Sequence, residues 1–278
     1  MSATAPANTL LGKTTDYIDH YAPELLTPIA RSLGRDAIGR YDFRGTDIWR
    51  LYEVTWIDDR GLPQVAAGEI HIPATSPNIV ESKSLKLYIG SLTQTVIKSV
   101  KEAEDLIRRD VGACVGADIA VHLSPVDRWH CPVRDVPGAL LEKEAGDMTF
   151  SVYDVDPTLL KLAPADDDAK PVAEILSSNL LRSRCPVTGQ PDHASITIGY
   201  LGPKIDHQSL LAYIVSFRRH QGFHEQCCET IFNDLMNKFH PQALTVFCCF
   251  TRRGGIDISP FRSTEMDLPG TIVRSVRQ

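Results

Sequence analysis

The stretch RSRCPVTGQPDH, residues 182–193, sets a cysteine, Cys185, ahead of a proline and seven residues before an acid, Asp192. Arg182 and Arg184 lie just upstream. Thiolate is the nucleophilic form of cysteine, and neighbouring cations lower a thiol pKa from about 8.5. An acid close by could donate or take a proton as sulfur attacks an electrophilic carbon. On these residues alone Cys185 could equally be a small core residue, and Asp192 a turn residue beside Pro191.

Three other stretches carry reactive types. ESKS (81–84) and FHE (223–225) place acids, hydroxyls and an imidazole where helices begin. Glu81 and Ser82 there also suit a helix N-cap, and His224 and Glu225 a solvated first turn. TRRGGIDISP (251–260) combines Arg252 and Arg253 with Gly254 and Gly255. Cations beside a backbone that can approach closely suit phosphate, although an isolated RRGG is by default a basic turn. No GxGxxG occurs, so a dinucleotide would not be held in the Rossmann manner.

These segments need a scaffold. With 278 residues, 43% apolar and 23% charged, the chain can bury an ample core. Its net charge of −6 argues against general nucleic-acid or anionic-membrane binding, so an anion must find a local basic patch. The N-terminal sequence lacks a secretory pattern, and no apolar run is long enough to span a membrane. Seven cysteines without a CxxC read as reduced thiols of a cytoplasmic protein. Cys227, Cys228, Cys248 and Cys249 read as packing residues.

The chain repeats itself. ESKSLKLYIGS (81–91) aligns with DHQSLLAYIVS (206–216) at a constant offset of 125, with five identities: Ser84/Ser209, Leu85/Leu210, Tyr88/Tyr213, Ile89/Ile214 and Ser91/Ser216. Alternating, β-branched segments precede each copy: 48–58 and 65–74, then 194–202. Amphipathic helices follow at 93–110 (Val96, Val100, Ala103, Ile107) and 224–239, and strands return at 117–125 and 243–255. The acidic, Pro-bearing LAPADDDAKP (162–171) reads as a linker between modules 1–161 and 172–278. The fold class is therefore α+β, each half an antiparallel sheet with two helices on one face. Open sheet edges favour closure by symmetric self-association, most simply a dimer.

ESKSLKLY, CPVTGQPD, FHE and TRRGGIDISP, in this order, resemble the two-module form of 7-cyano-7-deazaguanine (preQ0) reductase, a nitrile reductase of queuosine biosynthesis. The resemblance covers essentially the whole chain and implies tandem tunnelling (T) folds that close into a barrel on oligomerisation. It implies reduction of the preQ0 nitrile to the aminomethyl group of preQ1 with two NADPH, no metal, and no direct nucleic-acid contact. On it, Cys185 forms a thioimide and Asp192 protonates the nitrile nitrogen. The substrate would meet Val80, Glu81, Ser82, His224 and Glu225, the two glutamates accepting from the guanine-like edge. NADPH would meet Ser82, Lys83, Arg253 and Gly254. Two other readings stand beside it. One is a zinc-dependent hydrolase of the cyclohydrolase type, for which Cys185/His193 and His130/Cys131 are the available ligands. The other is a non-catalytic purine- or pterin-binding module.

Overall fold

The computed structural model describes residues 17–164, 170–270, 272 and 274–278, so part of the 162–171 linker lies outside the described residues. From Pro28 to Ser91 the chain forms β1 (Pro28–Ala30), α1 (Ser32–Ile38), β2 (Arg44–Ile57), β3 (Pro63–Pro73), β4 (Asn78–Val80) and α2 (Ser82–Ser91). There follow α3 (Val100–Val115), β5 (Ala120–Pro125), β6 (Ala139–Leu140), β7 (Val172–Ser178), β8 (Arg182–Arg184) and β9 (Pro191–Gly202). The chain closes with α4 (His207–Ser216), α5 (His224–Phe239), β10 (Ala243–Phe250) and β11 (Ile256–Ser263). None of the described helices is long and apolar enough to cross a membrane.

The repeat becomes two equivalent helices, α2 and α4, and its identities are explained by hydrogen bonds. Glu81 and Asp206 cap them, accepting from Ser84 N at 2.8 Å and Ser209 N at 2.7 Å. Ser84 Oγ accepts from Thr27 N, and Ser209 Oγ from Lys161 N. Ser91 and Ser216 likewise hold Ala22 N and Asp156 N. Each helix is thus strapped by the segment that precedes its sheet. Tyr88 donates to Asp110 at 2.7 Å and Tyr213 to Asp234 at 2.6 Å, pinning α2 to α3 and α4 to α5.

Three sequence expectations change. The helix expected at 93–110 begins at Val100 behind an Ser99 cap, and Val96 is exposed in a bridge to Ile57. The first half returns with β5 alone, whereas 243–255 divides into β10 and the turn leading to β11. Residues 139–161 pack on the second half, where β6 pairs with β7 and Leu141 and Leu160 join its core.

The halves share one mixed sheet, in the order β5-β3-β2-β11-β10-β9-β7-β6 with β8 on β9. Antiparallel pairing of β2 with β11 makes the seam, and Gly45 belongs there because a Cβ would lie 2.1 Å from Phe261 O. Trp49 and Leu51 face the helices, while Ile48 and Phe261 pack on the opposite face.

Buried charges lock this seam. Asp47 of β2 accepts from Arg262 of β11 at 2.7 Å and from Arg31 at 2.6 Å. Glu229 of α5 accepts from Arg262 at 2.7 Å and from Arg35 of α1 at 2.7 Å. All five side chains are at most 7% exposed. Burial opposes ionisation of both acids, yet the guanidiniums outweigh it and hold both below the usual carboxylate range. Stability from acids depressed in the folded state is present above their unfolded pKa of about 4 and is lost as pH falls below it. Glu229→Ala leaves Arg35 and Arg262 buried without it and should cost about 3–5 kcal/mol, read as a fall in denaturant midpoint. A loss under about 1 kcal/mol would show that the seam does not depend on this network.

Candidate active site

Beside the seam lies a cavity of about 240 Å³ with walls from both halves. The first half contributes Trp49 from β2, Val80 from β4, and Ser82, Lys83 and Lys86 from α2. The second contributes Cys185 and Gln190 from the β8–β9 loop, Asp192 from β9, His224 and Glu225 from α5, and Arg253 and Gly254 from the β10–β11 turn.

Short backbone bonds shape the Cys185 loop. Cys185 N donates to Gln190 O at 2.8 Å, and Gly189 N donates to Cys185 O at 3.0 Å. The cysteine is 6% exposed at the cavity wall. Arg182 and Arg184 do not line the cavity; the Arg182 guanidinium donates instead to Arg218 O. Strand alternation in β8 turns both arginines away from the inward Ser183.

Asp192, 4% exposed, meets two partners. Its Oδ1 accepts from Arg253 Nη1 at 2.8 Å, and its Oδ2 lies 3.5 Å from His224 Nε2. The His224 ring is fixed by stacking on Phe250, with centroids 3.9 Å apart and planes 10° from parallel. Arg253 Nη2 donates also to the Gln190 side-chain oxygen. In the turn, Gly254 has φ +59°, and a Cβ there would fall 2.8 Å from Lys86 Nζ.

Glu225 is 3% exposed and its Oε1 has no hydrogen-bond partner, as is true of His224 Nδ1 and Trp49 Nε1. Burial first, and then the nearby charge of Asp47, push the Glu225 carboxyl up to about 7. Among the described residues no group of three or more His, Cys, Asp or Glu could hold a metal ion.

Two family models match the chain, one described as nitrile reductase, 7-cyano-7-deazaguanine-reductase N-term over residues 17–123, the other as QueF-like protein over 191–267. The NADPH-dependent 7-cyano-7-deazaguanine reductase of Burkholderia lata is 47% identical over 98% of this chain and 99% of its own. That of Paraburkholderia phytofirmans is 48% identical over 95% and 96%. This chain belongs to the NADPH-dependent 7-cyano-7-deazaguanine reductase family. A solved structure of the archaeosine synthase QueF-Like in the apo form overlaps 36% of this chain and 98% of its own, at TM-score 0.31 and 14% identity, too little to carry anything across.

The residues singled out by the reductase-family resemblance converge on this cavity, with one exception. Glu81 is wholly buried outside the lining, and its Oε1 and Oε2 accept from Lys83 N at 2.9 Å and Ser84 N at 2.8 Å. Trp49, Lys86 and Gln190 line the cavity without having been anticipated. Lys86 follows Ser82 by four residues and so shares its helix face. That spacing was the available signal.

The state of Glu225 is testable on the unliganded protein. A carboxyl whose folded pKa exceeds its unfolded value of about 4.3 costs stability once pH passes the unfolded value, and the cost is complete above the folded pKa. Wild type should therefore lose stability between about pH 5 and 8, and Glu225→Gln should flatten that slope, gaining on the order of 3 kcal/mol at pH 8. Melting curves across pH measure it, and parallel profiles for the two proteins would contradict the burial argument.

Proposed function

We propose that this protein reduces the nitrile of 7-cyano-7-deazaguanine to the aminomethyl group with two NADPH, in queuosine biosynthesis, through a thioimide on Cys185. One observation carries the reading. Cys185, Asp192, His224 and Glu225 meet in a single cavity whose other wall is lysine-bearing α2.

A nitrile carbon accepts hydride poorly, and covalent catalysis divides the task. The Cys185 S–H bond breaks as sulfur bonds to the nitrile carbon, one C–N π bond opens, and Asp192 carries a proton to nitrogen. His224, with Nε2 3.5 Å from Asp192, orients the carboxyl and relays protons. The unpartnered Oε1 of Glu225 suits a donor of a guanine-like edge, and Val80 and Ser82 supply contacts from the facing wall. Glu81 serves on this reading by shaping that wall, since its oxygens cap α2.

The cofactor fits the donor set. Lys83, Lys86 and Arg253 are cations suited to its phosphates, Ser82 adds a hydroxyl, and Gly254 keeps the turn open to close approach beside Lys86. When bound, NADPH supplies the hydrides that take the nitrile carbon to the amine level. The same reading extends to tandem T-fold modules, expected as 1–161 and 172–278, with the segment from Ala139 onward packed on the second, to action in the cytoplasm, and to a homodimer closing the sheets into a barrel. The two ends of the sheet, β5 and β6–β7, have no further strand within the described chain.

Two variants test the covalent route. Cys185→Ala should abolish both turnover and the preQ0 adduct that wild type forms without NADPH, seen by mass spectrometry of the intact protein; an active alanine variant would sink the mechanism. Asp192→Asn keeps the shape but cannot deliver a proton, so adduct formation should slow by about 10²–10⁴-fold. Slowing under about threefold would remove Asp192 from the step.

A further inference from the structure

Arg253 touches both halves of the covalent machinery. Its Nη1 donates to Asp192 Oδ1 at 2.8 Å, and its Nη2 donates to the Gln190 side chain. The Gln190 main-chain oxygen in turn receives the Cys185 N–H at 2.8 Å. One guanidinium thus pins the carboxylate of the acid and the residue that anchors the nucleophile's loop. The carboxylate is 4% exposed, so little water is available to replace the cation. The Arg253 side chain is 39% exposed and lines the cavity with Lys83 and Lys86.

We propose that Arg253 is a positioning residue for the covalent step, and that Asp192 and the phosphates of the nicotinamide cofactor share it as their cation. The proposal rests on the reading of Cys185 and Asp192 above and adds a coupling between two sites. Two anions drawing on one guanidinium weaken each other's hold. By linkage, removing the charge of one strengthens binding of the other. A charge-assisted hydrogen bond into a buried carboxylate is also strong enough for its loss to be seen in the rate at which that carboxyl works.

The experiment uses the full chain, with preQ0 alone for the covalent step and NADP⁺ as a non-reducing probe of the cofactor site. Without any cofactor, Arg253→Ala should form the adduct roughly 10- to 100-fold more slowly than wild type. Arg253→Lys, still able to face Asp192, should recover most of the rate, a rescue that general loosening of the fold would not give. By calorimetry, Asp192→Asn should bind NADP⁺ about 3- to 10-fold more tightly than wild type, and should gain nothing when Arg253 is already alanine. A wild-type adduct rate in Arg253→Ala would overturn the positioning role. A gain in NADP⁺ affinity that persists without Arg253, or no gain at all, would overturn the sharing. Should Arg253→Ala melt early, the same cycle run with Arg253→Lys decides, since a shared cation requires the Asp192→Asn gain to change with the cation's geometry. Failure of wild type to form any adduct would instead overturn the reading of Cys185, while the NADP⁺ cycle, which needs no adduct, would still decide the sharing.

Discussion

Asp47, Glu229 and the three arginines between them govern where everything else can stand. A buried carboxylate or guanidinium is costly unless paired at close range, so this cluster tolerates very few arrangements. Arg262 satisfies it by reaching Asp47 on the neighbouring strand and Glu229 on the helix above, while Arg31 and Arg35 close it from the first half. Backbone pairing alone would allow β2 and β11 to slip by two residues, since the side-chain period of two keeps each face where it was. Charges that must meet at 2.6–2.7 Å remove that freedom. The cluster holds three cations against two anions, and the next acid along α5 is Glu225, one helical turn before Glu229.

That position explains the unusual state of Glu225. It lies close enough to Asp47 to be discouraged from ionising, and it is too buried for water to relieve the cost. A folded protein gains nothing from such a group, which on stability grounds alone would be better replaced by an amide. Its retention makes sense where a ligand supplies the missing donors, and stability is then given up for recognition. The two helices that open on the cavity, α2 and α5, present their positive N-terminal ends there, which favours an anionic carboxyl and anionic ligand groups together.

Much of the scaffold was legible because the repeat records local bonds. Each matched serine or tyrosine makes a cap, strap or pin within or next to its helix, so selection for that bond leaves a mark at one offset. PELL at 23–26 and PTLL at 157–160, the two straps, match at a different offset, 134, and would have revealed where the second half begins. The start of α3 was misread because Val96 fits the helical period, although the Ser99 cap lies after it and leaves Val96 outside. Glu81 showed the type of residue a ligand needs, but only packing reveals that both its oxygens are already engaged. The ion network was illegible for another reason. Arg35 and Glu229 are 194 residues apart, Asp47 and Arg262 215 apart, and no periodicity joins residues so distant.

The duplication also explains why the cavity is assembled once, across the seam. Shifted by 125, Ser82, Lys83 and Lys86 fall on His207, Gln208 and Leu211, so α4 lacks the cations that α2 turns toward the cavity. The helices α3 and α5, 16 residues each, align at 124, and there His224 and Glu225 fall on Val100 and Lys101, a residue whose side chain is 66% exposed. Each half has therefore kept one productive helix end and lost the other. A cavity needing both must draw α2 from the first half and α5 from the second, and β2 beside β11 is the pairing that brings them together. Loss of β11 from the seam would separate the lysines from the cysteine while removing only Ile256 and Ile258 from the first half's core and nothing from the second's. The buried ion pairs are thus placed where the fold has least redundancy, at the contact on which the site, rather than either half, depends.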